Sequence, residues 1–175
     1  LYDIPNTVQQ ATKNVARLGV DYLTVHAAGG VRMLEAAKRG AQEGADAVGV
    51  TAPKLLAITQ LTSFSEEEMQ TTQLVTVSMR ESVIHLAQLA AQAGVAGTIS
   101  SAFESADIHA NTPAGFLSIT PGIRLAGDAV GDQSRVVTPA RAAEMGADGI
   151  VVGRSITQAT DPVAAYQLIE TEFNA

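Results

Sequence analysis

The sequence predicts an α/β protein built on a parallel sheet, and three observations carry that reading. A helix-ending glycine followed by a short apolar run recurs, as Gly19 before 22–25, Gly44 before 47–50, Gly94 before 97–99 and Gly146 before 149–152. The apolar runs lack polar alternation, as do strands covered on both faces. The stretches between them carry a helical period, and alternating strands and helices assemble into a parallel sheet with right-handed crossovers.

Each element follows from local chemistry. The segment Asp3-Ile4-Pro5-Asn6-Thr7 leads into a helix, with Asn6 or Thr7 expected as N-cap and Asp3 favoured near the positive helix end. Val8, Ala11, Val15 and Leu18 are expected on its apolar face. Strands are expected at 22–25, 55–60, 96–100, 116–120 and 149–153. Residues 47–50 fit the repeat, but another strand begins soon after them, so an irregular connection is expected there. Glu66-Glu67-Glu68 reads as a solvated helix start, and 78–93 as a helix with Val83, Leu86, Leu89 and Ala90 on one face. Thr138 and Pro139 read as N-cap and first position of a further helix. Five strands cannot close a (β/α)8 barrel, which needs roughly 200 residues or more. The residues therefore allow an open doubly wound sheet, or a barrel lacking about three strands on its N-terminal side. The start at Leu1, without methionine and with a motif already under way, suggests a fragment or a processed segment.

Composition sets further limits. With 175 residues, 46% of them hydrophobic, the chain is expected to form one domain over 1–175 with a sizeable core, and it is too apolar for disorder. The absence of cysteine excludes a disulfide scaffold. No apolar run approaches the roughly 20 residues that span a bilayer, and no signal peptide opens the chain. A cytoplasmic protein without a membrane partner is expected. A net charge of −7 argues against a nucleic-acid surface. Arg124, Arg135, Arg141 and Arg154 nevertheless fall close together in sequence, which suits a small anionic ligand.

Ligands of α/β folds gather at the C-terminal ends of the strands, and barrels often bind phosphate after their last two. Two segments meet that condition. One is Thr120-Pro121-Gly122-Ile123-Arg124 with the glycine-bearing loop running on to Arg135. The other is Gly153-Arg154-Ser155, where glycine admits a close backbone approach, a helix start presents amides and Arg154 adds charge-assisted donors. His26 ends a strand and could serve as acid or base. No second histidine or cysteine stands at metal-ligand spacing, and His85 and His109 read as surface residues. No dinucleotide fingerprint, Walker loop or nucleophile elbow is present.

Taken together, Asp3-Ile4-Pro5-Asn6-Thr7, Val25-His26-Ala27-Ala28-Gly29-Gly30, Pro53-Lys54-Leu55-Leu56-Ala57-Ile58-Thr59, Leu61-Thr62-Ser63, Thr120-Pro121-Gly122-Ile123-Arg124, Gly131-Asp132-Gln133-Ser134-Arg135 and Val152-Gly153-Arg154 resemble bacterial-type orotidine 5'-monophosphate decarboxylase. The pieces stand in the family's order over the whole chain. The first and the Gly131-Asp132-Gln133 piece are highly specific in combination.

The resemblance implies a homodimeric (β/α)8 barrel, incomplete here, with active sites at the subunit interface. Its implied reaction converts orotidine 5'-monophosphate to uridine 5'-monophosphate in de novo pyrimidine biosynthesis, without metal or cofactor. The family's motif begins earlier, as Asp-x-Lys-x-x-Asp-Ile-Pro-Asn-Thr. Its proton-donating lysine would precede Leu1, so the 175-residue chain alone is expected to be inactive. By the same resemblance Asp3 is catalytic and acts in the partner's site, which Ile4 and Thr7 also line. Thr62 reaches the base, Gln133 bridges phosphate and pyrimidine, Arg124 supports the phosphate loop, and Gly153 and Arg154 hold the phosphate. The competing expectations are a magnesium-dependent sugar-phosphate decarboxylase of the same superfamily and a non-catalytic phosphate-binding fragment.

Overall fold

The computed structural model describes residues 1–125 and 135–175. Helix α1 (Pro5–Ala16) precedes strand β1 (Tyr22–His26), α2 (Gly30–Asp46) and β2 (Lys54–Ile58). Helices α3 (Glu66–Gln73) and α4 (Met79–Gln92) lead to β3 (Gly97–Ile99), α5 (Ser105–Asn111) and β4 (Leu117–Thr120). The chain ends through α6 (Pro139–Glu144), β5 (Gly149–Ile150), α7 (Arg154–Thr157) and α8 (Pro162–Phe173). All five strands are parallel, in the order β1-β2-β3-β4-β5. Leu1 extends the sheet beyond β1, its amine donating to Thr24 O at 3.0 Å and its carbonyl accepting from His26 N at 3.0 Å.

This consecutive order decides between the two architectures. A doubly wound sheet reverses its strand order at a switch point. Strands laid down in sequence by right-handed crossovers put every helix on one side, which is the arrangement of a barrel. Burial agrees. The cross-strand row Val25–Ala57–Thr98–Ser118 is completely buried beneath the helices. The next row, Ile58–Ile99–Ile119 on the opposite face, is only half-buried. On that face Leu56 and Gly97 are buried as expected but the row nearer the strand ends is not, because a barrel's inner face is covered by facing strands and only part of the ring is here. The fold is an incomplete (β/α)8 barrel.

Local signals placed most elements. Ser78 and Glu81 form a capping box at α4, and Thr138 Oγ1 caps α6 with Pro139 in the first turn. Gly19, Gly94 and Gly146 follow their helices with positive φ, as C-terminal caps require. Residues 47–50 form no strand, and Glu66, Glu67 and Glu68 start α3 on the surface.

Three expectations fail, each for a tertiary or backbone reason. The helix-ending glycine of the second repeat is Gly49, at φ 72°, whereas Gly44 lies inside α2. A Cβ on Gly44 would stand 2.1 Å from Lys13 O, and one on Gly40 would stand 2.1 Å from Gln9 O. These glycines therefore serve the close crossing of α1 and α2. That crossing also resets the inner face of α1 to Val8, Thr12 and Ala16, leaving Leu18 77% exposed. Finally, Ile4 and not Asn6 or Thr7 is the N-cap of α1, without a side-chain cap bond, because Pro5 already starts the helix with a fixed φ.

Candidate active site

The C-terminal ends of the strands collect the residues singled out by sequence. At one edge, Asp3 follows the Leu1 extension. It is exposed, and its Oδ1 accepts the Ile4 amide at 2.7 Å. Ile4 is 66% exposed, and Thr7 is exposed on the first turn of α1. Tyr2, also exposed, stacks on His26 with 5.6 Å between ring centroids. Burial, aided by the positive charge of the Leu1 amine, lowers the His26 pKa and favours the neutral imidazole.

Thr62 is buried in the turn after β2. Its neighbour Gln60, also buried, exchanges two amide hydrogen bonds with Gln73 of α3 at 2.9 and 2.8 Å and donates to Ser82 Oγ at 2.8 Å. The turn carrying Thr62 is thereby tied to both following helices. Arg124, beyond β4, is buried, with Nη1 donating to Ile123 O at 2.8 Å. Gln133 lies outside the described residues.

Gly153 and Arg154 follow β5. A Cβ on Gly153 would meet nothing within 4 Å, so the backbone there faces open space, and Arg154 is exposed. The helix they open is a single four-residue turn, α7. It aligns too few peptides for a strong helix dipole, so an anion here would be attracted by the cationic side chain and the open backbone. Of the four clustered arginines, Arg141 pairs with Glu144 on the outer surface of α6 and stands apart from this end of the sheet.

Sheet order spreads these residues along one end of the sheet. Five inter-strand steps lie between the Leu1 extension and β5, about 24 Å along the sheet. Asp3, Ile4 and Thr7 stand exposed at one edge, Arg124, Gly153 and Arg154 follow β4 and β5 at the other, and Thr62, after β2, lies two steps from the first edge and three from β5.

A set of buried hydroxyls, given no role by the sequence, lies at the same end. Ser101 Oγ after β3, Thr120 Oγ1 at the end of β4 and Ser155 Oγ after β5 are buried without hydrogen-bond partners. By contrast Ser118 Oγ donates to Ser105 Oγ at 2.9 Å and lies 3.3 Å from Ser100 Oγ. Unpartnered buried hydroxyls are costly and suit a polar ligand that would complete them. Thr120 and Ser155 stand in the two segments the sequence singles out, whereas the signal for Ser101 is a serine doublet at a strand end, which turn chemistry explains equally well. Among the described residues no three histidine, aspartate or glutamate side chains gather as a metal site, and no helix is long and apolar enough to cross a membrane.

Comparison with known proteins adds to this geometry. Residues 1–169 match the model of the orotidine 5'-phosphate decarboxylase / HUMPS family. The orotidine 5'-phosphate decarboxylase of Listeria monocytogenes is 54% identical over 175 residues, covering 100% of this chain and 74% of the relative. That of Lactococcus lactis is 55% identical over 174 residues, covering 99% and 73%. The crystal structure of the Lactobacillus acidophilus orotidine 5'-phosphate decarboxylase superposes with a TM-score of 0.87 at 44% identity, over 100% of this chain and 73% of that one. The Pyrococcus horikoshii structure, at 22% identity and TM-score 0.72, shares the fold.

Proposed function

The chain belongs to the orotidine 5'-phosphate decarboxylase / HUMPS family, and from that premise we infer its function: decarboxylation of orotidine 5'-monophosphate to uridine 5'-monophosphate, a step of pyrimidine biosynthesis. The observation that supports the site assignment is that Thr62, Arg124, Gly153 and Arg154 all follow the C-terminal ends of parallel strands, after β2, β4 and β5. The relatives named above favour this nucleotide over a magnesium-dependent sugar phosphate.

The chemistry calls for a division of labour. Loss of carbon dioxide leaves a carbanion on the pyrimidine, which needs a neighbouring cation and then a proton. A lysine flanked by carboxylates supplies both when held in place beforehand. This chain supplies the other parts. Arg154 and the open backbone at Gly153 bind the phosphate, Arg124 supports the adjoining segment, Gln133 links phosphate to base and Thr62 contacts the base. Binding energy from the phosphate, remote from the reacting carbon, then orders the site. The catalytic Asp3, with Ile4 and Thr7, completes the site of a second subunit in a cytoplasmic homodimer. Their exposure at the far edge of the sheet supports that role. Residues 1–175 form a single domain that makes up three-quarters of the barrel, and no cofactor takes part.

The test is release of carbon dioxide from the nucleotide by a full-length protein carrying these residues, in the presence of a chelator. A chain verified to begin at Leu1 should show no measurable turnover. Near-normal turnover by that chain would refute the lysine assignment, and a magnesium requirement would favour the sugar phosphate.

A further inference from the structure

A buried ion pair stands beside the phosphate side of the sheet's C-terminal end without any role assigned so far. Glu104, in the short 3-10 turn after β3, accepts a hydrogen bond from Arg135 Nη1. Their side chains are 7% and 17% exposed. Arg135 sits where the chain returns to the sheet after β4. There the Arg124 amide donates to Val137 O at 3.0 Å, the Val137 amide donates to Gly122 O at 3.3 Å, and Ile123 and Val137 form an isolated parallel bridge. Gly122, Ile123 and Arg124 thus meet Val137 at one neck, beside which Glu104 holds Arg135 from the neighbouring strand's turn.

Stability alone is a poor reason for this contact. Burying two charges costs desolvation that their attraction often fails to recover, whereas an apolar pair of similar volume would pack without it. Burial pushes the Glu104 carboxyl above its ordinary range, against the opposing pull of Arg135. The pair also makes one bond where a carboxylate and a guanidinium can make two. Glu104 Oε2 and Arg135 Nε and Nη2 remain buried without partners. A costly contact of this kind is best explained by what it positions.

We propose that Glu104 is a positioning residue for phosphate binding, which holds Arg135 next to the contact between Gly122–Arg124 and Val137 and so fixes the backbone that carries Arg124. This rests on the assignment of Arg124, Gly153 and Arg154 to the phosphate. The contact joins two strand loops, and each partner is useful only with the other, so their substitutions should not add.

The experiment measures binding of uridine 5'-monophosphate and of uridine by calorimetry, together with the melting temperature. It uses the full-length protein with Glu104→Gln, Glu104→Leu, Arg135→Leu and the Leu/Leu double variant. Each leucine substitution should weaken nucleotide binding about tenfold or more, the double variant no further than the worse single, and nucleoside binding should stay within about threefold. Glu104→Gln keeps the shape and loses the charge, and should cost the nucleotide about three- to tenfold. It carries the same comparison if the leucine variants do not fold. A parallel fall for nucleotide and nucleoside, full additivity, or unchanged nucleotide binding would overturn the proposal. Arg154→Ala separates the two ideas. If it selectively weakens the nucleotide while the Glu104 variants bind like wild type, the positioning role fails and the phosphate assignment stands. If Arg154→Ala spares the nucleotide, the phosphate assignment itself fails.

Discussion

Gly40→Ala tests the close crossing of α1 and α2. The added Cβ would lie 2.1 Å from Gln9 O, 2.4 Å from Thr12 Oγ1 and 2.9 Å from Gln9 C. An ordinary Cβ contact begins near 3.4 Å. The threonine hydroxyl can turn aside, but the Gln9 carbonyl is helix backbone, so α1 must move by about 1 Å or more. Overpacking of this kind costs typically 1–3 kcal/mol, and a rigid backbone obstacle belongs at the upper end. Alanine gains back about 1 kcal/mol of helix propensity over glycine. The expected net loss is about 2 kcal/mol, a fall of about 4–8 °C in melting temperature for a domain of this size. Urea unfolding checks it, with the midpoint falling and the slope unchanged. Gln10→Ala, at an exposed position of the same α1 helix, is the control. It should leave stability within about 0.5 kcal/mol. A Gly40→Ala protein as stable as wild type would refute the close-approach account of this glycine.

Arg154→Ala in the full-length protein should weaken nucleotide binding roughly 10- to 150-fold, from about 1.5–3 kcal/mol for a charge-assisted phosphate contact. Calorimetry with the nucleoside should show little change, and an equal loss for both would make Arg154 structural. Asp3→Ala should lower turnover while leaving phosphate affinity comparatively intact. Mixing that subunit with one lacking the active-site lysine should restore up to about a quarter of wild-type activity, since half of randomly paired dimers then hold one whole site of two. No recovery despite demonstrated subunit exchange would mean that Asp3 serves its own subunit. His26 has a lowered pKa in the folded chain, so the unfolded chain binds more protons between the two values. Stability of the 175-residue chain should therefore decline as pH falls below about 6.5, and His26→Gln should flatten that limb of a pH series of urea midpoints.

Much of this protein was legible in its sequence because much of it is locally determined. The apolar runs at 22–25, 55–60, 96–100, 116–120 and 149–153 became β1 to β5 within a few residues at either end. Ser78, Thr138 and Pro139 act on their own helices, so their roles need no distant partner. The motifs beginning at Asp3, Thr120 and Val152 carried the family, because chemistry at strand ends demands particular residues in a particular order. What depends on two segments meeting was not legible. Gly44 resembled a helix stop until its contact with Lys13 made it a packing residue. Val8, Thr12 and Ala16 became the inner face of α1 because α2 crosses there, and Leu18 was left outside although its apolar spacing was as good. Glu104 and Arg135 are 31 positions apart, and nothing local marks Glu104 as the partner of Arg135. Periodicity and capping are written within a turn or two of helix, whereas the depth of a crossing and the partner of a buried charge exist only once the sheet has brought separate loops to the same end.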